Sequence, residues 1–199
     1  MSSPFLLTKI TKLCILETYE FERFCMTCIA AVVKDGKSYI AGERGASTDS
    51  SIFPISEPKI WKNGEYLFGY YGTFMGERLK FNFQPPKMTK NTDVVTFMNS
   101  TFLQALHQCY QDWWVEKHED TELMIVIRGK IFVHNAQDMS MTMYDTDFLS
   151  EGSGSEYAVG SLYSTKDLDI DPEQRLRLAI EAAIAFSPTC LGPIDILSI

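Results

Sequence analysis

The stretch Met26-Thr27-Cys28-Ile29-Ala30-Ala31-Val32-Val33-Lys34-Asp35-Gly36-Lys37-Ser38-Tyr39-Ile40-Ala41-Gly42-Glu43-Arg44-Gly45 decides the fold. Residues 28–33 are small, apolar and partly β-branched, which suits a buried strand. Lys34-Asp35-Gly36-Lys37 is a hairpin turn, because Asp-Gly supplies the positive φ that a two-residue loop needs. Tyr39-Ile40-Ala41 returns as the second strand. A strand that begins at Met-Thr raises the question whether Thr27 is the working N-terminus of the mature protein.

Upstream, residues 1–25 differ in character. Leu6, Leu7, Ile10 and Leu13 mix with Lys9 and Lys12, and an acidic, aromatic run follows, Glu17-Thr18-Tyr19-Glu20-Phe21-Glu22. The apolar run is too short and interrupted for a secretory signal. Three readings stay open: a propeptide removed by cleavage, a permanent extension, or a segment that is not made because translation starts at Met26. The expected division is therefore 1–26 as extension or propeptide and 27–199 as one domain.

Composition narrows the partners. The 199 residues are 45% hydrophobic and 22% charged, as in an ordinary globular chain large enough for a full core. A net charge of -8 and a pI near 4.9 argue against nucleic acid or an anionic membrane as the main partner. No apolar run is long enough to span a bilayer. The five cysteines, Cys14, Cys25, Cys28, Cys109 and Cys190, are odd in number and irregular in spacing. That pattern fits a reducing, cytoplasmic compartment (the host cytoplasm if the chain is viral) better than a disulfide framework. Cys25-Met26-Thr27-Cys28 matches C-x-x-C formally, but it enters a strand, whereas the redox motif opens a helix. His107, His118 and His134 form no spaced ligand set and are read as surface or half-buried, so no metal or cofactor is expected.

Downstream, a polar loop is expected at Ala46 to Ser51, then Ile52-Phe53-Pro54-Ile55 and Lys59-Ile60-Trp61, interrupted by prolines. Asn63-Gly64 signals a second hairpin into Glu65 to Gly72. A short helix is predicted from Phe74 to Lys80. Asp93 to Trp113 reads as a long helix with an apolar stripe of Val94, Val95, Met98, Phe102, Ala105, Leu106, Cys109 and Trp113. Leu123–Ile127 and Ile131–His134, joined by Arg128-Gly129-Lys130, read as a buried hairpin, and Met139 to Asp147 as a weaker strand. Gly152-Ser153-Gly154 precedes a helix over Glu156 to Ser164. Asp171-Pro172 starts the last helix as N-cap and first position, and Pro188 stops it. A final strand covers Pro193 to Leu197. Helix clusters alternating with antiparallel strands suggest two helical layers on a sheet sandwich.

In order and spacing these pieces resemble the proteasome β-subunit group of N-terminal-nucleophile (Ntn) hydrolases. The nearest branches are the bacterial proteasome-like heat-shock peptidase and the small Ntn proteins of bacteria and phages. The resemblance runs from Met26 to the C-terminus. It rests on Thr27 to Val32 with Asp35-Gly36 and Ile40-Ala41-Gly42, on Lys59 at the family's lysine position, on Phe68 to Thr73, and on Gly152-Ser153-Gly154 before Tyr157-Ala158. It implies an α+β, four-layer αββα sandwich of two antiparallel sheets. Two features depart from the family pattern. Glu43 stands where the first hairpin usually carries Asp, and the second family Asp falls near Thr189 and is missing, within Ser187-Pro188-Thr189-Cys190-Leu191-Gly192-Pro193.

The resemblance implies a threonine-type hydrolysis of peptide or amide bonds. An N-terminal Thr27 would carry both the Oγ nucleophile and, in its α-amine, the base. That amine's reference pKa of roughly 7.7–8.0 suits neutral pH, and a nearby Lys59 ammonium disfavours its protonation. Glu43 would hold Lys59, the Gly72 N–H would stabilise the oxyanion, and Ser153 would orient the amine. Each residue also has a plain structural reading: Thr27 as a strand residue in an uncut chain, Lys59 as a solvated edge lysine, Glu43 as a surface charge, Ser153 as a helix cap, Gly72 as a turn. Cys28 is the rival nucleophile, with a buried strand residue as its plain reading. By resemblance the partners are peptide or protein substrates, copies of the chain itself in a ring or stacked rings, and an ATP-dependent unfoldase. The alternative is a catalytically silent, proteasome-like assembly or interaction protein, favoured by the missing Asp and by retention of residues 1–25.

Overall fold

The computed structural model describes residues 27–47, 50–111 and 121–199. Strands β1 (Ile29–Lys34) and β2 (Lys37–Glu43) form the expected hairpin, with Ala31 opposite Ile40. Asp35 and Gly36 sit at φ 53° and 75°, the left-handed pair that a tight hairpin requires. β2 continues into β3 (Gly45–Ser47), which pairs with β4 (Ile52–Pro54). The segment read as a polar loop is thus partly a two-stranded ribbon. β5 (Ile60–Asn63), β6 (Tyr66–Gly72), β7 (Thr121–Ile127), β8 (Lys130–Asn135) and β9 (Ser140–Tyr144) form a five-stranded antiparallel sheet in that order. β10 (Phe148–Glu151) and β11 (Ile194–Ser198) flank the first hairpin, giving the four-stranded order β10-β1-β2-β11.

Helices cover the two outer faces. α1 (Met75–Asn82), α2 (Val94–Phe97), a π-helical turn (Met98–Phe102) and α3 (Leu103–Gln111) pack on the five-stranded sheet around Phe68, Tyr70, Leu123 and Phe132. The expected long helix therefore carries a π turn, and its last predicted residue, Trp113, lies outside the described residues. Met98, Phe102, Leu106 and Tyr110 are its fully buried side chains among the described residues. Four-residue steps overshoot an α-helical turn by about 40° each, and the wider π turn takes back part of that drift. α4 (Ser155–Ser164) and α5 (Pro172–Phe186) pack on the other sheet against Cys28, Ala30, Val32 and Ala41. α5 is capped by Asp171, whose carboxylate accepts the Glu173 N–H, with Pro172 at its first position.

Ile29, Ala31, Ile40, Ile60, Leu67, Met124, Val126 and Ile131 fill the space between the sheets. The order of layers is helix, sheet, sheet, helix, as expected, and among the described residues the buried members of the three apolar clusters fall within residues 28–190. No helix among the described residues is long and apolar enough to cross a membrane.

Three single-residue expectations change. His134 is fully buried, where a surface or half-buried place was expected: it sits at the end of β8 with its ring stacked on Tyr110 and Nδ1 2.8 Å from the Ser140 carbonyl. Lys59 and Glu43 are completely buried, which removes their readings as an edge lysine and a surface charge.

Candidate active site

The strand order brings the five singled-out residues to one end of the sandwich, with Glu43, Lys59 and Ser153 directly around Thr27. Thr27 enters β1, Glu43 ends β2, Lys59 enters β5, and Ser153 follows β10, which pairs antiparallel with β1. Because β1 and β2 pair from Ile29↔Gly42 onward, Glu43 comes opposite Cys28, whose carbonyl accepts the Glu43 N–H at 3.4 Å, and so stands next to Thr27. Close packing at Gly42 and Gly69 brings β5 beneath them: a Cβ on Gly42 would lie 3.1 Å from an Ile60 methyl.

Lys59 Nζ donates to Thr27 Oγ1, to the Gly45 carbonyl and to Glu43 Oε1 at 2.5 Å. An ammonium has three donors, and all three meet an oxygen. Accepting from Lys59 leaves the Thr27 hydroxyl its own proton to donate elsewhere. Glu43 is held as tightly. Oε1 takes Lys59 and the Cys28 N–H, while Oε2 takes the Gly45 N–H and the Leu191 N–H, the last at 2.9 Å. The carboxylate therefore ties the first hairpin, β3, β5 and the segment before β11 to one point. A buried pair of this kind contributes little net stability over an apolar pair, but losing one partner strands a charge.

On its other side the Thr27 nitrogen donates to Ser153 Oγ at 3.1 Å, and the Gly154 N–H donates to the Thr27 carbonyl. Ser153 Oγ is 2.7 Å from Thr189 Oγ1, and Thr189 Oγ1 is 2.8 Å from Ser187 Oγ. Ser153 is not the cap of α4: Gly154 occupies the N-cap position with no side-chain bond. Gly152 makes this approach possible. It has φ 93°, and a Cβ there would lie 2.3 Å from the Thr27 carbonyl oxygen.

Gly72 closes β6 at φ 90°, two residues beyond Tyr70, whose N–H donates to the Lys59 carbonyl. That register places Gly72 at the same sheet end as Lys59. Cys28 points the other way, into the helical layer, with its thiol beside Ser150 Oγ at 3.5 Å. Burial pushes that thiol up to about 12, so it is protonated and inert at neutral pH. Cys190 is raised by burial as well. The cysteine pattern Cys25 to Cys28 starts outside the described residues, as does His118.

Reading the sequence alone did not assign roles to Thr189, Ser187, Gly45 or the Leu191 N–H. In the sequence Thr189 stands out only as the place where the resemblance expects an acid. Its hydroxyl partner lies 36 residues away and has no short-range signature.

No family model and no curated protein matches this sequence. Solved structures do. The chain is similar to Thiobacillus denitrificans BPH in complex with epoxomicin, at 22% identity and a TM-score of 0.73, covering 87% of this chain and 98% of that one. It is similar to Thiobacillus denitrificans BPH alone at 21% identity and a TM-score of 0.72, covering 87% and 97%. It is also similar to eukaryotic HslV from Trypanosoma brucei, at 16% identity and a TM-score of 0.65, covering 86% and 98%. Likeness at this level of identity speaks for the fold, and with the layers and strand order above it identifies the chain as having the proteasome-like Ntn-hydrolase fold.

Proposed function

We propose that the protein is a threonine-type Ntn hydrolase acting on peptide or amide bonds once Thr27 becomes N-terminal. The observation that carries this reading is the fully buried Lys59, which spends its three donors on Thr27 Oγ1, Glu43 and the Gly45 carbonyl. A lysine buried this deep without a hydroxyl to serve would cost free energy for no chemical return.

In the proposed cycle the free α-amine of Thr27 takes the Oγ proton as Oγ bonds to the carbonyl carbon of the substrate. The oxyanion is met by the Gly72 N–H. As the C–N bond breaks, the leaving amine takes the proton back from the Thr27 ammonium, leaving an ester on Oγ. Water then gives a proton to the same amine as its oxygen bonds to the ester carbon, and the ammonium returns that proton to Oγ as the acyl–Oγ bond breaks, releasing the acid and restoring Thr27. Lys59 lowers the cost of the Oγ oxyanion and disfavours a resting ammonium on Thr27. Glu43 positions Lys59. Residues 1–26 are assigned as the segment whose removal or omission frees that amine, and 27–199 as the working domain.

Self-association into rings and an unfoldase partner belong to the same proposal and are tested by native mass spectrometry. The main test is amidase activity toward fluorogenic peptides by protein starting at Thr27. Activity abolished in Thr27→Ala and in Lys59→Met supports the reading. Equal turnover by Thr27→Ala rejects it. Activity absent at every pH favours the second reading, a silent assembly protein, for which the missing acid at position 189 is the specific observation.

A further inference from the structure

We infer that Thr189, with Ser187, forms a neutral hydroxyl relay that positions the α-amine of Thr27 through Ser153 and sets the pH range in which that amine works as base. The inference rests on the proposal that Thr27 becomes N-terminal, and on the hydrolase reading only for its link to rate.

The geometry is a chain of short contacts. The Thr27 nitrogen lies 3.1 Å from Ser153 Oγ, Ser153 Oγ 2.7 Å from Thr189 Oγ1, and Thr189 Oγ1 2.8 Å from Ser187 Oγ. The Thr189 N–H also donates to Ser187 Oγ at 3.4 Å, which fixes the far end. Ser187 itself is buried at the C-terminus of α5, where its N–H donates to the Ala183 carbonyl. The relay thus runs from β1 through the turn after β10 to the end of α5.

A hydroxyl accepts and donates at once, and it can rotate. With the amine charged, Ser153 Oγ accepts from the ammonium and donates to Thr189 Oγ1, which donates to Ser187 Oγ. With the amine neutral, the same chain can reverse and present the Ser153 proton to the amine's lone pair. The relay therefore follows both protonation states without carrying charge. A carboxylate at position 189 would sit within about 6 Å of the amine and favour the ammonium.

Among the ionisable groups around this point Lys59 biases the amine, and a neutral relay leaves that bias unopposed. Lys59, from the start of β5, touches Thr27 Oγ1 and opposes an ammonium. Glu43, at the end of β2, bonds Lys59 and the Cys28 N–H. Glu151 ends β10 opposite Ile29, where burial, then Glu122, raises it above the usual carboxyl range. Cys28 and Cys190 are raised by burial and stay neutral. The expected outcome is an amine that loses its proton below the usual α-amino range, so that activity extends to the acid side of neutrality.

The experiment uses the chain starting at Thr27, which contains the three apolar clusters of the described residues, with 15N-labelled threonine. The amine's titration is followed by NMR alongside the pH profile of kcat/KM. Thr189→Asp should raise the amine's midpoint, and the acid limb with it, by about one pH unit or more. Thr189→Asn, equal in shape and neutral, should leave the midpoint within about 0.3 unit, and Thr189→Ser should restore the wild-type profile. An Asp variant that folds but moves the midpoint no further than Asn overturns the relay. If the midpoint moves as stated while no variant turns over any peptide, the relay stands and the hydrolase reading fails. If turnover is present and the midpoint does not move, the reverse holds.

Discussion

Replacing Lys59 with Met removes the buried ammonium and keeps most of the side chain's volume. Glu43 is then a fully buried carboxylate whose partners are the N–H groups of Cys28, Gly45 and Leu191. Breaking one side of a buried pair costs about 3–5 kcal/mol, and three backbone donors should keep this case near the lower end. For a domain of this size each kcal/mol moves Tm by roughly 2–4 °C, so Lys59→Met should lower Tm by about 10 °C. Glu43→Gln should cost a similar amount, because it strands Lys59 against Thr27 and the Gly45 carbonyl. The Gln oxygen can still accept from Gly45 and Leu191, so the double variant should cost much less than the two singles together. Urea unfolding at pH 7.5 of the wild type, both singles and the double gives the coupling, expected to be at least about 2 kcal/mol. Costs below about 1 kcal/mol for Lys59→Met, or additivity within about 0.5 kcal/mol, would refute the view that this pair is a buried, mutually dependent knot.

Three further outcomes follow from the same structure. Burial holds His134 down to about 4, and its Nε2 has no hydrogen-bond partner among the described residues. Below the unfolded value near 6.5 the unfolded chain binds a proton that the native chain refuses, so stability should fall as pH drops from about 6.5 to 4, by up to about 3 kcal/mol; denaturant melts at pH 7.5 and 4.5 should show this slope in the wild type and lose it in His134→Phe. Gly152→Ala would force a Cβ against the Thr27 carbonyl at a left-handed φ, and should cost about 3 kcal/mol or more in urea melts; a cost under about 1 kcal/mol would show that this turn has room to spare. Cys28, raised by burial, should resist a thiol reagent at pH 7.5 in the native protein and react once it is unfolded; rapid native labelling traced to Cys28 by peptide mass mapping would contradict its inert placement.

Much of the fold was legible because its signals are local. Asp35-Gly36, Asn63-Gly64 and Arg128-Gly129 each mark a tight turn, and Asp171-Pro172 marks a helix start. The elements that are not legible are short or depend on a distant partner. β10 has four residues and pairs with β1 more than a hundred positions earlier, and β3 and β4 are three residues each. Nothing in so short a stretch separates strand from loop. The π turn was hidden for a different reason: Met98, Phe102, Leu106 and Tyr110 repeat every four residues, which a sequence pattern does not distinguish from a slightly drifting α-helical stripe.

The site divides in the same way. Thr27, Glu43, Lys59 and Ser153 were legible through their order along the chain, and three of them form one hydrogen-bonded group around Thr27. Their burial was not legible, since a lysine between Pro58 and Ile60 reads equally as an exposed edge residue. Thr189 was hidden because hydroxyl residues are common, and only the geometry reveals that its Oγ1 stands behind Ser153.

The central claim is that Thr27 works as a free N-terminal residue. The most direct measurement is the intact mass of the protein expressed from its native upstream sequence, followed over hours at neutral pH. The account expects a species beginning at Thr27. A stable mass beginning at residue 1 or 2 would contradict it and leave the buried Lys59–Glu43 pair as a purely structural device.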